Sequence, residues 1–202
     1  MENYIQILGQ RIELTEEQVE EIKKGTAEDK VTLGSISEGE TGMIGDYEVI
    51  VLNHNADSTE ILFKDLIHDS EEFGSNNNFD GSNVDKLCET FYEVIAGIVG
   101  KDAFIEHTVD LTSDDGLKDY GEVRRNMSLL TTEQYRQHVD ILDNYNPKKW
   151  WWLATPHSTD RHENSNWVKC VSPSGYVDFD GYFRDNGVRP FCILKSNILV
   201  SK

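Results

Sequence analysis

The chain has 202 residues, of which 37 are acidic and 19 basic, so its formal net charge is −18. Apolar residues make up 38% and charged residues 28% of the chain, a balance typical of a folded protein and not of a disordered or fibrous one. A surface this acidic repels phosphate backbones and anionic lipid, so neither nucleic acid nor membrane insertion is expected.

The start of the chain predicts a small hairpin. Two short strand-like runs, residues 4–8 and 11–14, flank a Gly-Gln pair, the arrangement that favours an antiparallel turn. The first residues lack the basic start and apolar run of a signal peptide. No later run approaches the roughly 18 apolar residues of a membrane span.

A helix is predicted to follow the hairpin. Thr15 and Gln18 have the spacing of a capping box, and the helix is expected to run to about Lys24 and end at Gly25. It carries few apolar residues, so we expect it to pack on a neighbour or on another copy of the chain. Residues 1–30 are therefore predicted to serve attachment or homo-oligomerisation, with residues 26–30 as the linker.

Residues 31–202 predict a second, larger domain of α+β class. Strands are expected near 47–52, 60–67 and 104–111. Ser82 is expected to cap a helix that runs to about Val99, and Thr132 a second helix to about Leu142. The inward faces of the two helices are predicted to carry Val84, Leu87, Phe91, Ile95 and Ile98, and Tyr135, Val139 and Leu142, respectively.

The last quarter of the chain differs in character from the rest. Before Trp150 the chain holds 32 acidic and 13 basic residues, whereas from Trp150 onward it holds 5 and 6. All four Trp and nine of the twenty aromatic residues lie between Trp150 and Cys192. Aromatic residues and Arg dominate binding hot spots, so this region is either a recognition surface or the core-forming end of the domain.

Motifs for catalysis and metal binding are weak. The sequence contains no nucleophile elbow, phosphate-binding loop or zinc-protease motif. Residues 110–121 have calcium-loop residues in the wrong register, which favours a solvated turn. His157, His162 and Glu163 have ligand-type side chains but no visible scaffold, so neither a metal nor another cofactor is predicted.

The three cysteines, Cys88, Cys170 and Cys192, are odd in number and widely spaced. This pattern argues against a disulfide framework and fits synthesis in a reducing cytosol. Cys192 lies in an apolar run, which favours inert packing over reactivity. No catalytic residue is therefore predicted, and the chain is not expected to be an enzyme.

Two stretches near the C-terminus have the composition of binding loops. Residues 157–167 and 176–186 show no apolar period and mix charges, amides and aromatic rings, as antibody paratopes do. They are bracketed by the apolar motifs WWWLATP and GVRPFCIL. Loops mounted on rigid anchors are a common arrangement of binding surfaces, although two ordinary polar loops would look similar.

The motifs WWWLATP, NWVKCV and GVRPFCIL together resemble the end of a C-type-lectin-fold domain, in the version found in variable proteins of diversity-generating retroelements of phages and gut bacteria. Formylglycine-generating enzymes share this fold. The upstream segments LGSISEGETGMIGDYEVIVL, FGSNNNFDGSNVDKL and HTVDLTSDDGLKDYG resemble the remainder of such a domain, so the resemblance covers about Val31 to Ser201.

The resemblance implies a C-type-lectin-like ligand-binding domain whose surface residues near the C-terminus can be diversified. The ligand-contact positions it implies are His157, Asp160, Arg161, His162, Glu163, Asn164, Asn166, Trp167, Tyr176, Asp178, Asp180, Tyr182, Phe183, Arg184, Asp185 and Asn186. Trp151, Trp152, Gly187, Arg189 and Pro190 would be framework, with Arg189 as a buried ion-pair or hydrogen-bond anchor. The calcium-dependent sugar motifs of animal lectins are absent from the sequence.

The function expected from these features is ligand display by a phage or prophage receptor-binding protein or adhesin. Its partner would be a protein or glycan receptor on a cell surface, and it would act on the virion or outside the host cell after cytoplasmic synthesis. A structural virion decoration without a ligand is an alternative, as is an enzyme of the formylglycine-generating type.

Overall fold

The computed structural model describes residues 4–7, 10–18 and 30–202, with side chains from residue 13 onward. The helices with both ends described are α1 (Asn83–Val99), α2 (Thr132–Gln137) and α3 (Val139–Leu142). The remaining regular structure consists of a helical start at residues 16–18, four short 3-10 helices and short strands that pair mostly antiparallel. The α+β class predicted from the sequence is therefore confirmed.

Seventeen strands are present in the described residues. In chain order they are β1 Tyr4–Ile7, β2 Gln10–Glu13, β3 Lys30–Thr32, β4 Thr41–Ile44, β5 Tyr47–His54, β6 Ser58–Phe63, β7 His68–Glu72, β8 Phe104–Ile105, β9 His107–Asp110, β10 Glu122–Arg125, β11 Met127–Ser128, β12 Trp151–Pro156, β13 Trp167–Val171, β14 Val177–Gly181, β15 Asp185–Val188, β16 Phe191–Lys195 and β17 Leu199–Ser201.

Two sheets form the body of the large domain. An eight-stranded sheet has the order β11-β16-β6-β5-β4-β17-β3, with β8 also paired to β16, and it curls into a half-barrel. A five-stranded sheet has the order β14-β13-β12-β15-β7, in which β12 and β15 run parallel and the other pairs antiparallel. Strands β9 and β10 form a separate two-stranded ribbon.

The N-terminal hairpin and the start of its helix are as predicted. β1 and β2 pair antiparallel. The Gln18 amide donates to Thr15 Oγ1 at 3.2 Å and the Thr15 amide donates to Gln18 Oε1 at 2.9 Å, which together make the expected capping box. The predicted helix end at Lys24–Gly25 and the linker residues 26–29 lie outside the described residues.

Strand β12 separates two parts of the hydrophobic core. Neighbouring residues of a strand point to opposite faces, so Trp151 packs among Tyr135 and Leu142 while Trp152 packs on the other side against Phe73. Both indoles are completely buried, and every residue of β12 is buried. Burial of all of Trp151–Pro156 agrees with the interpretation of the WWWLATP motif as framework.

Arg189 fixes the junction behind β12. Its side chain is completely buried, donates from Nε to the Phe63 carbonyl at 2.9 Å and from Nη2 to the Tyr145 carbonyl at 3.0 Å, and lies over the Trp151 ring at 5.1 Å. Burial lowers the pKa of Arg189 to about 10. An ion-pair anchor and a hydrogen-bond anchor were both expected for this residue. The structure favours the hydrogen-bond anchor, because two backbone carbonyls accept hydrogen bonds from its guanidinium group.

The first long helix packs on a face slightly rotated from the predicted one. Ser82 caps α1 as expected, with its side chain accepting from the Asp85 amide. Val84, Phe91 and Ile95 are buried, but Ile98 is 48% exposed, so its assignment to the core was wrong. Cys88, which was not predicted to face inward, is completely buried. Leu87, Val94 and Ile98 lie along the edge of the packed face.

The second predicted helix begins one residue earlier and is interrupted. Thr131, not Thr132, is the N-cap, and its capping box with Gln134 is complete. Only Thr131 lies three residues before a side chain that can reciprocate, because the residue three beyond Thr132 is Tyr135. His138, with φ −116° and ψ 14°, ends α2 and separates it from α3.

Two predicted strands are also shorter than expected. The run predicted from Glu60 to Ile67 ends as a strand at Phe63. The run from Phe104 to Leu111 divides into β8 and β9 at Glu106.

We expect Thr131→Val to lower the free energy of unfolding by about 1 kcal/mol, because it removes the cap while preserving shape. Thr132→Val is the matched control, since the Thr132 hydroxyl is buried and has no hydrogen-bond partner within the described residues, and we expect it to leave the free energy of unfolding unchanged or slightly increased. Urea denaturation of both variants measures this difference, and equal losses would contradict the assignment of Thr131 as the cap.

Candidate ligand-binding face

The two stretches with binding-loop composition lie side by side. β13 and β14 pair along their full length, with Trp167 opposite Gly181. The His157 amide donates to the Trp167 carbonyl at 2.9 Å, and the Tyr182 amide donates to the Asn166 carbonyl at 3.0 Å. Because β14 is the outer strand of the five-stranded sheet, residues 157–167 and 176–186 meet at one edge of the domain.

Four rings lie along this edge, and we call them the aromatic face: His157, Trp167, Phe179 and Phe183. The Phe179 ring stacks on His157 at 4.5 Å with an interplanar angle of 24° and meets Trp167 edge-on at 5.5 Å. Phe179 is 43% exposed and Phe183 is 51% exposed. The face is therefore assembled from both stretches.

A glycine lets Phe183 join this face. A Cβ on Gly181 would meet the Phe183 ring at 2.8 Å, so the ring lies directly over the bare backbone opposite Trp167. The Arg184 guanidinium in turn lies 5.8 Å from the centre of the Phe183 ring. Gly181 is thus a steric requirement for the arrangement of the two exposed phenylalanines.

Phe179 is central to the face but was not among the positions predicted from the sequence. Residues 177–181 alternate apolar and acidic, and that period marks Val177, Phe179 and Gly181 as sharing one side of the strand. An apolar position in such a strand predicts the core side, whereas here the side chain of Phe179 points outward. Phe179 stands opposite Lys169 of the neighbouring strand, and the Lys169 Nζ lies 5.7 Å from the centre of the Phe179 ring. This contact depends on strand pairing and is visible only in the folded structure.

Strand alternation sends several predicted contact residues away from the aromatic face. Asp178 and Asp180 stand opposite Cys170 and Val168, two core residues, on the other side of the sheet. Asn186 is only 4% exposed, and its amide donates to Asp180 at 3.3 Å. Tyr182 is half-buried and packs on the core. The expectation that Asn186 faces solvent is therefore corrected, because its side chain serves the fold.

The remaining predicted positions divide among three places. Asp160, Arg161, His162, Glu163, Asn164 and Asn166 lie on the loop beside the aromatic face, where Glu163 adopts a left-handed backbone with φ 53°. Asp185 and Arg184 follow the Phe183 turn and are exposed. Tyr176 is at the far end of β14 and contacts Trp150 at 5.8 Å. Tyr176 precedes Phe179 by three residues, about 10 Å along the chain, and its ring packs on Trp150, so we place it outside the aromatic face.

An acidic loop, residues 112–121, supports the 157–167 loop from behind. Asp115 accepts a hydrogen bond from Ser158 at 2.6 Å and lies 2.8 Å from His162 Nδ1. Asp119 accepts from Thr159 at 2.6 Å and also pairs with Arg161. Sequence reasoning treated residues 112–121 only as a polar turn, because the contacts to the later loop are long-range.

The electrostatics of this contact favour ionised aspartate. Burial alone would raise the pKa of Asp115, but hydrogen bonds from Ser113, Ser158 and His162 outweigh it and hold the pKa below its usual range. Lys169, which is buried, pairs with Asp114 of the same loop at 3.2 Å. Arg161 and Lys169 are thus each paired with an aspartate, whereas Arg184, beside Phe183, is exposed and forms no ion pair within the described residues.

Buried amide contacts hold the rear of the loop. Asn77 is completely buried and donates to the carbonyls of Ser158 at 2.8 Å and Trp167 at 3.0 Å. The Tyr120 hydroxyl donates to Asn77 Oδ1 at 2.7 Å. The backbone of the 157–167 loop is therefore held in place independently of its outward side chains.

The groups considered for catalysis and metal binding do not converge on this face. Cys88, Cys170 and Cys192 are free and buried. Burial raises the pKa of Cys170 to about 12 and also raises those of Cys88 and Cys192, so the thiolate forms are disfavoured. Within the described ranges, no group of three His, Cys, Asp or Glu side chains is arranged to hold a metal ion.

The chain matches no protein-family profile, no curated protein and no solved structure. Among the helices of the described part of the chain, none is both long enough and apolar enough to cross a membrane.

We expect Asp115→Asn to loosen the 157–167 loop, with faster amide hydrogen exchange there and a small decrease in melting temperature at pH 7. Because the pKa of folded Asp115 is lowered from an unfolded value of about 3.9, its stabilisation is present above that pH and is lost as the pH falls toward the folded pKa. The difference in melting temperature between the two proteins should therefore shrink as the pH falls below about 4.

Asp57→Asn is the control for the change in net charge, because Asp57 is exposed and remote in sequence from both loops. If Asp57→Asn produced the same loss, or if the effect of Asp115→Asn did not depend on pH, the contact would not depend on the ionised aspartate.

Proposed function

We propose that this chain is a ligand-binding protein and that the aromatic face, together with the exposed part of the 157–167 loop, is its recognition surface. The observation that carries this proposal is the location of exposed rings. Among the described residues the exposed aromatic side chains are Tyr176, Phe179 and Phe183, and two of these three belong to the aromatic face. Aromatic side chains with rigid support are the usual anchors of binding hot spots.

The proposed surface has the rigid support that recognition requires. Behind it, Val168, Cys170 and all of β12 are buried, and the loop backbone is held by Asn77 and by residues 112–121. Pre-organisation reduces the ordering cost of binding. Phe179 and Phe183 are held by their neighbours and are still exposed, so their rings are available to a partner.

The chemistry of the face favours a partner that presents apolar surface. Arg161, His162 and Lys169 are each paired with an aspartate, so the face offers few unpaired cations to an anionic ligand. Aromatic rings bind apolar protein side chains and the C–H faces of sugar rings. A protein or glycan receptor on a cell surface meets this requirement, whereas nucleic acid does not, given the net charge of −18.

We further propose that residues 31–202 form a C-type-lectin-like domain of the retroelement-diversified type, carried by a phage or prophage receptor-binding protein or adhesin. This proposal rests on the resemblance of the motifs WWWLATP, NWVKCV and GVRPFCIL, and it is supported by the burial of the first and last as framework. Location on the virion or outside the host cell, and attachment or oligomerisation through residues 1–30, belong to the same proposal.

Two alternatives make different demands on the chain. A structural virion decoration needs no exposed aromatic cluster. An enzyme of the formylglycine-generating type needs a reactive thiol, and burial raises the pKa of Cys170 and Cys192. The exposed rings favour the binding function over both.

The recognition surface is tested by flow cytometry, which measures how much fluorescently labelled chain binds to bacterial cells. We expect the double substitution Phe179→Ala, Phe183→Ala to weaken binding of the labelled chain by at least about tenfold, as loss of hot-spot residues does, with little change in melting temperature. Tyr176→Ala is the matched control, because it removes an equally exposed ring from the other end of β14. Treating cells with periodate or with protease distinguishes a glycan from a protein receptor.

Equal losses from the double variant and from Tyr176→Ala would contradict the assignment of the aromatic face. A large fall in melting temperature of the double variant would instead assign the two phenylalanines to the stability of the fold.

Diversification makes a separate prediction about natural variants. In related isolates we expect differences at exposed positions such as Asp160, Glu163 and Asn166 and identity at buried Asn186, because substitutions at exposed sites change stability little. Sequencing the gene and its flanking DNA measures this, with a reverse-transcriptase gene and a template repeat that differs at adenines expected nearby. Variation spread evenly over buried and exposed positions would contradict it.

A further inference from the structure

A concave site that is separate from the aromatic face lies between α1 and the β4–β5 turn. It encloses about 460 Å³, within the range of small-molecule pockets. Tyr47, Phe63 and Phe91 form its floor, and Leu66, Leu87 and Val94 contribute to its walls. It shares no residue with the aromatic face, and we call it the α1 groove.

The floor of the α1 groove is a compact aromatic cluster. The rings of Tyr47 and Phe91 meet edge to face at 5.0 Å, and those of Phe63 and Phe91 at 4.8 Å. Phe63 is 2% exposed and Phe91 is 8% exposed, so both are fixed by the core while still lining the groove. Such rings offer apolar area and a negative π face at which cations bind.

The helix side of the groove leaves apolar surface unpartnered. Leu87, Phe91, Val94 and Ile98 follow one another at spacings of four, three and four residues and so share one face of α1. Val94 is 45% exposed and Ile98 is 48% exposed. Val94 lines the groove, and Ile98 lies beside it over Gly45 of the β4–β5 turn.

The rim carries more negative than positive charge. Three acidic residues, Asp46, Glu48 and Asp65, line the groove and no basic residue does. Glu48 is paired with Lys64 at 2.6 Å. Asp46 and Asp65 are exposed, and neither forms an ion pair within the described residues. An occupant that complements this site carries a positive charge close to an apolar body.

We propose that the α1 groove binds a small organic cation, an ammonium group attached to an apolar skeleton. The skeleton packs on Tyr47, Phe91 and Val94 while the ammonium group faces Asp46 and Asp65. The enclosed volume suits a single small molecule better than a helix or a second copy of the chain, and the carboxylates discriminate against neutral and anionic ligands. This inference is independent of the function proposed for the aromatic face.

A pair of probes of similar shape and different charge tests the proposal. Amide NMR titration of the full chain with 3-phenylpropylammonium should give saturable shifts of Tyr47, Leu66, Thr90 and Val94. The neutral probe 3-phenylpropan-1-ol should bind at the same place at least about fivefold more weakly, the factor expected from two exposed charge contacts. Raising the salt concentration should reduce the difference between the probes.

Substitutions at the rim identify the groups responsible. Asp46→Asn and Asp65→Asn should each lower the affinity for the ammonium probe toward that for the alcohol and leave binding of the alcohol unchanged. Asp57→Asn, which changes the net charge equally at an exposed site that does not line the groove, should leave both affinities unchanged.

Four results would overturn the proposal. Equal affinities of the two probes would show an apolar cavity without charge selection, and equal effects of Asp57→Asn and Asp65→Asn would show non-specific attraction. Shifts confined to the aromatic face would place the binding elsewhere. Self-association of the free chain that is lost in Val94→Asp would show that a second copy covers the groove.

Discussion

Complete burial of both faces of β12 is the constraint on which the rest of the structure depends. Trp151 and Trp152 are adjacent, so strand geometry sends their indoles into different parts of the core. Burial of each indole stabilises the fold by roughly 25 cal/mol per Å² of apolar area removed from water. Arg189 donates hydrogen bonds to two backbone carbonyls behind the strand. Because β13 pairs directly with β12, the edge that carries the aromatic face inherits this rigidity.

Local signals in the sequence predicted much of the fold. The capping box at Thr15 and the Ser82 cap were correct because both ends of each contact lie within four residues. Errors arose where tertiary contacts decide: Ile98 has helical periodicity yet lies outside the packed face of α1, and His138 interrupts an otherwise continuous helical pattern. A helix pattern defines a face but not how far the neighbouring sheet covers it.

The candidate site was predictable as a region and not as a set of side chains. Composition identified 157–167 and 176–186, and the strand pairing brings them together. Composition could not separate Phe179 from Asn186, because the direction of each side chain depends on strand register. Nor could it identify Asp115 and Asp119, which are 40 or more residues from the groups they bind. Register and long-range pairing are properties of the folded chain.

The distribution of charge explains why the exposed rings, and not the basic residues, define the proposed binding surface. The acidic excess precedes Trp150, and folding brings part of it, residues 112–121, against Arg161, His162 and Lys169. The exposed pair of Arg161 with Asp119 adds little stability, but together with the buried Lys169–Asp114 pair it leaves Arg184 as the one nearby arginine or lysine without an ion pair within the described residues. What remains for a partner is the apolar surface of Phe179 and Phe183, whose area can contribute to affinity without the cost of desolvating an unpaired charge.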